Sequence, residues 1–570
     1  MGMEVEVGRT LRFFALVMAL FLITAAVTAE EATFTVLTAP GQQTRGERLG
    51  APEMRLSLHE SAAMALAHNI NLEVSRLGLA SSQGGIVAAT GIFDPLLSAD
   101  FSEQSQMSVS TNLLAGARTL EQKQRLFSLG LSQFLPIGTT LSLGWENNRS
   151  ETNSGYYYVN PSYGSGLFLS LTQPLLRGFG TDVNRQGIEV ARRNQDISRL
   201  QFEQIVISTL QQVETAYWNL VYAIDNLKVK EQSLKLAQDL LDQTRTRVRI
   251  GTSAPIDIVQ SEATVAAREQ EIIVAANAVE AAADSLKQLM GFENPEDWQA
   301  HIVPTDSLET EAEGVDLSAA IETALARRLE LRQRQLEAEI GEVALLAADN
   351  AVRPRVDVKL DYGYNGTNVL YEVGPDGQPA VVGGDWNDAL QQLADGDYPA
   401  WSAGVVFSYP LGNNQAQAQR AQRRFELGAA RQTQAAERQA VIADVRSAVR
   451  NLEDSAKAIA AAVKARELAE RNLDAEQKKF ANGMSTNYQV LQIQEDLAAA
   501  QAAELLSRMA YRRSMVACSV STGTLLTDMG VTLEEAPAPK EPHTMLKDVD
   551  FFKYGSWVDV EEPAPAPAQQ

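Results

Sequence analysis

Two stretches of this chain, residues 184–250 and 413–482, contain no proline and one glycine each, and apolar side chains recur through them at helical spacing. At about 1.5 Å per residue, each would form a helix on the order of 100 Å long. In the first, Leu227, Leu234, Leu241 and Val248 keep a seven-residue spacing amid abundant alanine, as close helix-to-helix packing requires. Such helices need partners along their whole length, so the expected core is a coiled coil and not a globule. Each stretch stops at a tip, "VRIGTSAPIDIVQSEA" (residues 248–263) or "FANGMSTNYQVLQIQE" (residues 480–495). The helical pattern then resumes over 256–290 and 484–522 with neither Gly nor Pro. The pairs Gly251/Ser253 and Gly483/Ser485 are turn chemistry, with Gly ending one helix and Ser starting the next. Both tips therefore read as helical hairpins.

The halves of the chain match one another. At an offset of 232, Val213, Leu220, Leu241, Gly251, Ser253 and Gln260 meet Val445, Leu452, Leu473, Gly483, Ser485 and Gln492. At an offset of 259, Ala65, Leu72 and Pro95 meet Ala324, Leu331 and Pro354. This is the signature of a tandem duplication, and repeats decide architecture before local detail does. The first repeat spans residues 55–291 and the second 317–523, with a longer insert in the first. Each runs helix, strands, long helix, break, helix. Residues 57–93 and 318–352 are helical by period, closed by Pro95 and Pro354. Added to 256–290 and 484–522, they about equal the long helices in length, so two short helices stacked end to end would lie beside each long one. Residues 30–54 are an N-terminal extension and 292–316 an acidic connector. The tail 524–570 ends in "EEPAPAPAQQ", a tract with no apolar face to bury and so expected to be partly disordered.

Between the helices, over residues 95–175 and 355–411, the period changes to two. In Val356-Asp357-Val358-Lys359-Leu360-Asp361-Tyr362 every second side chain is apolar and every intervening one charged. Residues 404–409, 166–172, 127–131 and 141–145 alternate with small or polar partners. Pro174 and Pro410 end the last strand of each half, just before the long helix. A soluble antiparallel sheet alternates in the same way, but no second sheet is available to cover this apolar face. The lengths suit tilted strands crossing a bilayer. In lipid every backbone group must be paired, so strands must close into a barrel. Four to six strands per chain fall short of the roughly eight in the smallest barrels, so the barrel must be shared between copies.

The N-terminus supports this reading. Arg9 and Arg12 precede the apolar run Phe13 to Val27 and the small-residue end at Ala29, the order of a secretory signal peptide over residues 1–29. A short membrane anchor is the alternative. The formal net charge of −23 makes nucleic acid a poor partner. The single cysteine, Cys518, allows no intrachain disulfide, and its apolar surroundings point to burial. His59, His68, His301 and His543 show no metal-ligand spacing, and no phosphate-binding loop or nucleophile elbow occurs. No catalytic residue, metal site or cofactor is expected.

Taken in order, "LSLHESAAMALAHNINLEVSR", "LSLTQPLLRGFGTDVNRQGIEVARRNQ", "YPLGNNQAQAQRAQRRFE" and the two glycine tips resemble the TolC-like outer-membrane efflux protein family over about residues 55–525. The resemblance implies a mainly α fold with β structure: a homotrimeric outer-membrane β-barrel continuous with a long periplasmic α-helical coiled-coil barrel. It implies a passive exit duct of a tripartite efflux or type I secretion system. Its tip would dock on a periplasmic adaptor protein bound to an inner-membrane transporter, and its strands would contact outer-membrane lipid. The alternative is a periplasmic coiled-coil adaptor or scaffold that never enters the membrane, which would have no use for the alternating strands. Relatives usually contribute two strands per half. Here an extra apparent hairpin, residues 127–135 and 140–145 joined across Pro136-Ile137-Gly138-Thr139, leaves 12 or 18 strands open. Relatives place an acidic residue six after the second-half tip glycine, where this chain has Gln489, with Gln492 three further on. The corresponding first-half position is Asp257, which reads as a helix N-terminal charge, with Ser253 or Thr252 as the helix cap, as a lumen-facing gate, or as both.

Overall fold

A computed structural model describes residues 33–37, 53–111, 115–309, 314–373 and 379–536. The expected signal peptide and the tail beyond residue 536 lie outside the described residues. The helices are α1 (Leu58–His68), α2 (Ile70–Thr90), α3 (Gln186–Arg249), α4 (Pro255–Leu289), α5 (Leu317–Arg327), α6 (Leu329–Ala351), α7 (Trp386–Asp395), α8 (Asn414–Ala481) and α9 (Asn487–Thr522). Along α3 lie α2 at one end and α4 at the other, and α6 and α9 flank α8 in the same way. At any level the chain thus presents four helices side by side.

The expected single helices 57–93 and 318–352 are each broken, at Asn69 and Arg328, where the backbone turns extended for one residue. The breaks sit where α4 and α9 end. Asn69 caps α2 by accepting from Asn71 N at 3.0 Å, and its Nδ2 donates to Leu289 O, the last carbonyl of α4, at 2.8 Å. Arg328 Nη1 donates to Ser521 O near the end of α9 at 3.2 Å. A helix C-terminus leaves carbonyls without partners, and each break supplies one. The chain passes closest at Gly291, in left-handed backbone with φ 72°, where a Cβ would fall 2.1 Å from the His68 carbonyl oxygen. Gly291→Ala is expected to cost at least about 2 kcal/mol from the left-handed strain and the backbone shift together. At Gly523 the nearest atom is Arg327 Cβ at 3.2 Å, so Gly523→Ala should be milder. Urea midpoints of the two variants check the order.

At this level the core is Val213, Tyr217 and Leu220 of α3 against Ala65, Leu286 and Met290. The hydroxyl of fully buried Tyr217 donates to Asp306 Oδ2 at 2.7 Å and accepts from Asp306 N at 3.2 Å. Asp306 lies in the expected connector, whose strand His301–Pro304 pairs in parallel with Glu53–Leu56. Burial, with the Asp306 carboxylate beside it, pushes the Tyr217 phenol up to about 12. An unfolded tyrosine ionises near 10, so the unfolded chain loses the proton first as pH rises. The contribution of this group to stability, on the order of 2–3 kcal/mol, is therefore complete below pH 10 and lost by about pH 12. The stability gap between wild type and Tyr217→Phe should narrow across that interval in denaturant titrations. Cys518 is buried with Ala324, Val445 and Tyr511, and burial raises its thiol.

Six strands, β1 (Leu96–Val109), β2 (Thr119–Phe134), β3 (Thr140–Thr152), β4 (Ser162–Pro174), β5 (Arg355–Thr367) and β6 (Tyr398–Ser408), form one sheet. Its order is β6-β5-β4-β3-β2-β1 with every neighbouring pair antiparallel. Pro95, Pro174, Pro354 and Pro410 all stand at the strand–helix junctions, beside or at the ends of β1, β4, β5 and β6. Directly paired residues share a face. The row Leu97, Leu131, Leu143, Leu169, Tyr362, Trp401 crosses all six strands on one face. One residue along, the row Leu96, Ser132, Ser142, Ser170, Asp361, Ser402 crosses on the other. The sheet is thus apolar on one side and small or polar on the other. At its far end α7, absent from the sequence reading, packs on the apolar side. Trp386 Nε1 donates to Asn147 Oδ1 at 3.2 Å, and a Cβ at Gly366 would lie 1.9 Å from Ala389 O.

Candidate functional site

The two glycine tips lie together at the end of the helices remote from the sheet. In the first, Gly251 takes φ 79°, and Thr252 N donates to Arg247 O at 2.9 Å, closing the C-terminal turn of α3. The second repeats the pattern, with Gly483 at φ 77° and Met484 N donating to Lys479 O at 2.9 Å. The helix starts differ from the sequence expectation. Neither Ser253 nor Thr252 caps α4. Its first turn opens with Ala254 and Pro255, and the Asp257 carboxylate reaches back to accept from Ala254 N at 3.2 Å. Proline suits this position because no helical partner exists for its missing N–H. Asp257 therefore acts as a cap from inside the helix, with its charge at the positive end of the dipole.

In the second tip Thr486 is the cap, accepting from Gln489 N at 3.3 Å. Ser485 is turned away and donates to Glu476 Oε1. The Ser485 hydroxyl, then the Lys479 ammonium, hold the Glu476 carboxyl below its usual range. Gln489 and Gln492 are both exposed, three residues apart on the side of α9 away from its packed face, whereas Val490, Leu491 and Ile493 are buried with Leu240 and Phe480.

What joins the tips was not read from the sequence. Asn487, 3 % exposed, lies between two fully buried hydroxyls. Thr244 Oγ1 donates to Asn487 Oδ1 at 3.0 Å, while Asn487 Nδ2 donates to Ser261 Oγ at 2.9 Å and to Asp257 O at 3.2 Å. One amide thus ties α3, α4 and α9 together. Arg247 stacks its guanidinium over the Phe480 ring, 4.0 Å from the centroid, and donates to Phe480 O. The available signal was Thr244 itself, a polar residue three after Leu241 on the apolar seam. Beyond the network, Ile250, Ile256, Val259, Met484 and Tyr488 are each more than half exposed. The tip thus presents apolar side chains to the outside while its polar groups are satisfied within. Among the described residues no group of three or more His, Cys, Asp or Glu is placed to hold a metal ion.

This geometry has known counterparts. The chain is 26 % identical over 318 residues to the outer membrane protein TolC of Escherichia coli K12, a match spanning 55 % of this chain and 60 % of that one. It is 25 % identical over 426 residues to TolC of Salmonella enteritidis, covering 72 % of this chain and 80 % of that one. Its fold is similar to the outer-membrane channel OprN, with TM-score 0.61, 14 % identity and coverage of 87 % and 97 % of the two chains. The CmeC outer membrane channel of Campylobacter jejuni gives TM-score 0.60, 13 % identity and coverage of 87 % and 94 %. The model of the family described as "Outer membrane efflux protein" matches residues 113–292 and 320–524, more than half of the chain. The chain accordingly belongs to the outer membrane efflux protein family and is an outer-membrane protein with a periplasmic portion.

Proposed function

We propose that three copies of this chain form a passive exit duct, in which the sheets make one barrel through the outer membrane and the helices a periplasmic tunnel continuous with it. The two-faced sheet carries the reading. Its apolar rows suit lipid and its serine-, glycine- and aspartate-rich rows suit a water-filled lumen. A periplasmic scaffold outside the membrane would leave the apolar face in water. The tips form the periplasmic mouth, where Gln489, Gln492 and Asp257 surround the entrance. The exposed Ile250, Ile256, Val259, Met484 and Tyr488 meet an adaptor protein bound to an inner-membrane transporter, since exposed apolar patches of this kind mark protein contacts. The family relation and the absence of any catalytic constellation in the sequence support conduction without catalysis.

The test is to reconstitute the purified chain in a planar bilayer and to extract cell envelopes with alkaline carbonate. Discrete conductance steps and a carbonate-resistant protein are expected. A carbonate-soluble protein without conductance would overturn the reading. With Cys518→Ser as background, Asp257→Cys should crosslink copies of the chain, as a mouth on a symmetry axis requires.

A further inference from the structure

Among the described residues the sheet has two free edges, each belonging to a strand with no backbone-paired neighbour on its outer side. β1 bonds only to β2, and β6 only to β5. In lipid an unpaired edge is untenable, and six strands are fewer than the roughly eight of the smallest closed barrels. The occupant of each edge must therefore be a strand. A second copy of this chain supplies it in the right direction. β1 leaves the helical end of the sheet and β6 returns to it, so rotation about an axis along the tunnel sets β6 of one copy antiparallel to β1 of the next.

The extra hairpin, formed by β2 and β3, is continuous with the rest of this sheet. The apolar row passes through Leu97, Leu131 and Leu143 at the same register as Leu169, Tyr362 and Trp401, and the serine row follows it on the other face. A hairpin lying outside the membrane would have no cause to carry this pattern in step. Width gives an independent argument. Strands about 4.8 Å apart and tilted by about 40° each occupy roughly 6.3 Å of a barrel's circumference. Six then span about 38 Å and four about 25 Å. Below the sheet the chain presents four helices side by side, which at about 8–10 Å each span roughly 32–40 Å. Six strands match the arc of the helices beneath them, whereas four would draw the barrel in to a narrower outlet.

Resting on the duct reading above, we propose that all six strands of every copy enter the membrane, with β1 of one copy paired to β6 of the next. Three copies then close an 18-stranded barrel. Barrel diameter grows roughly linearly with strand number, and 16–18 strands enclose an open aqueous channel. The outlet is about half as wide again as that of a 12-stranded barrel and as wide as the tunnel feeding it.

Disulfide mapping tests this in the full chain carrying Cys518→Ser. Ala403→Cys on β6 is combined in turn with Leu97→Cys, Ala99→Cys or Phe101→Cys on β1, and with Leu141→Cys, Leu143→Cys or Trp145→Cys on β3. Ala403, Leu97, Ala99 and Phe101 are exposed and Leu141, Leu143 and Trp145 half-buried on the apolar face, and heat-modifiable mobility of each variant, compared with Cys518→Ser alone, reports its folding. Mild oxidation should yield covalent multimers with at least one β1 position and none of the β3 positions. Two strands left out of this sheet must be its edge pair, so multimers through β3 would mean that β1 and β2 stay outside and would overturn the inference. If Asp257→Cys crosslinks and the channel conducts while no strand pair does, the edges do not meet and the inference fails, although the duct stands. No crosslinks anywhere and no conductance would remove the duct reading itself.

Discussion

Asn487→Leu is expected to loosen the tip by about 3 kcal/mol. The substitution removes three hydrogen bonds at once and leaves the fully buried Ser261 hydroxyl without the Asn487 amide that donates to it. A buried polar group left without a partner costs about 1–3 kcal/mol; Thr244 retains an alternative acceptor in Leu240 O at 2.8 Å, so the stranded Ser261 hydroxyl together with the lost bonds sets the total near the upper end of that range. A loss of this size raises local opening about a hundredfold. Hydrogen exchange should show it as lost protection in the last turns of α3 and α8 and the first turns of α4 and α9. The helices near Tyr217 should be unaffected. Gln489→Ala, on the exposed side of the same helix, should change protection by less than about 0.5 kcal/mol. Equal effects from the two would mean that the amide network does not hold the tip. If the tip is the mouth of the duct, Asn487→Leu should also raise the open probability in a planar bilayer.

The second large effect is on the sheet. Leu169→Arg is expected to cost about 2–4 kcal/mol, the penalty for a guanidinium on the lipid side near the bilayer centre. Ser170→Arg, one residue along, points to the opposite face, where Asp361 in the paired position supplies a counter-charge. It should leave folding and membrane insertion close to wild type. Urea unfolding in liposomes, or the amount of each variant in the outer-membrane fraction, separates them. A soluble sheet would reverse the expectation, because an arginine on a water-exposed leucine position costs little.

Much of the candidate site was visible in the sequence, but its wiring was not. Gly251 and Gly483 announce the turns because only glycine enters left-handed backbone without strain. Gln489 and Gln492 fall on the outer side of α9, as their spacing from buried Val490 and Ile493 requires. The bond from Ala254 N makes Asp257 a cap of α4, a role compatible with the entrance position proposed for it. Thr252, Ser253 and Ser485 were expected to start helices and do not, because capping depends on one backbone angle. The extended residue before each helix is instead Ala254, held there by Pro255, and Thr486, whose hydroxyl accepts from Gln489 N. Asn487 is paired with Thr244 across more than two hundred residues of chain, a separation at which local pattern carries no information.

The two long helices, the hairpin tips and the alternation of the strands are legible in the sequence alone. Each of these follows from a period or a turn residue acting within a few neighbours. Only the tertiary structure decided how those pieces meet. The breaks at Asn69 and Arg328 exist because the carbonyls at the ends of α4 and α9 need donors, and neither break carries a glycine or proline. β1 was not picked out because its alternation gives way to polar residues after Phe101. Its partner β2 fixes it through backbone hydrogen bonds that any side chain permits. Likewise, that six strands share one register is a property of the pairing and of no single strand, since a strand's own pattern specifies which face is apolar but not which neighbour shares it.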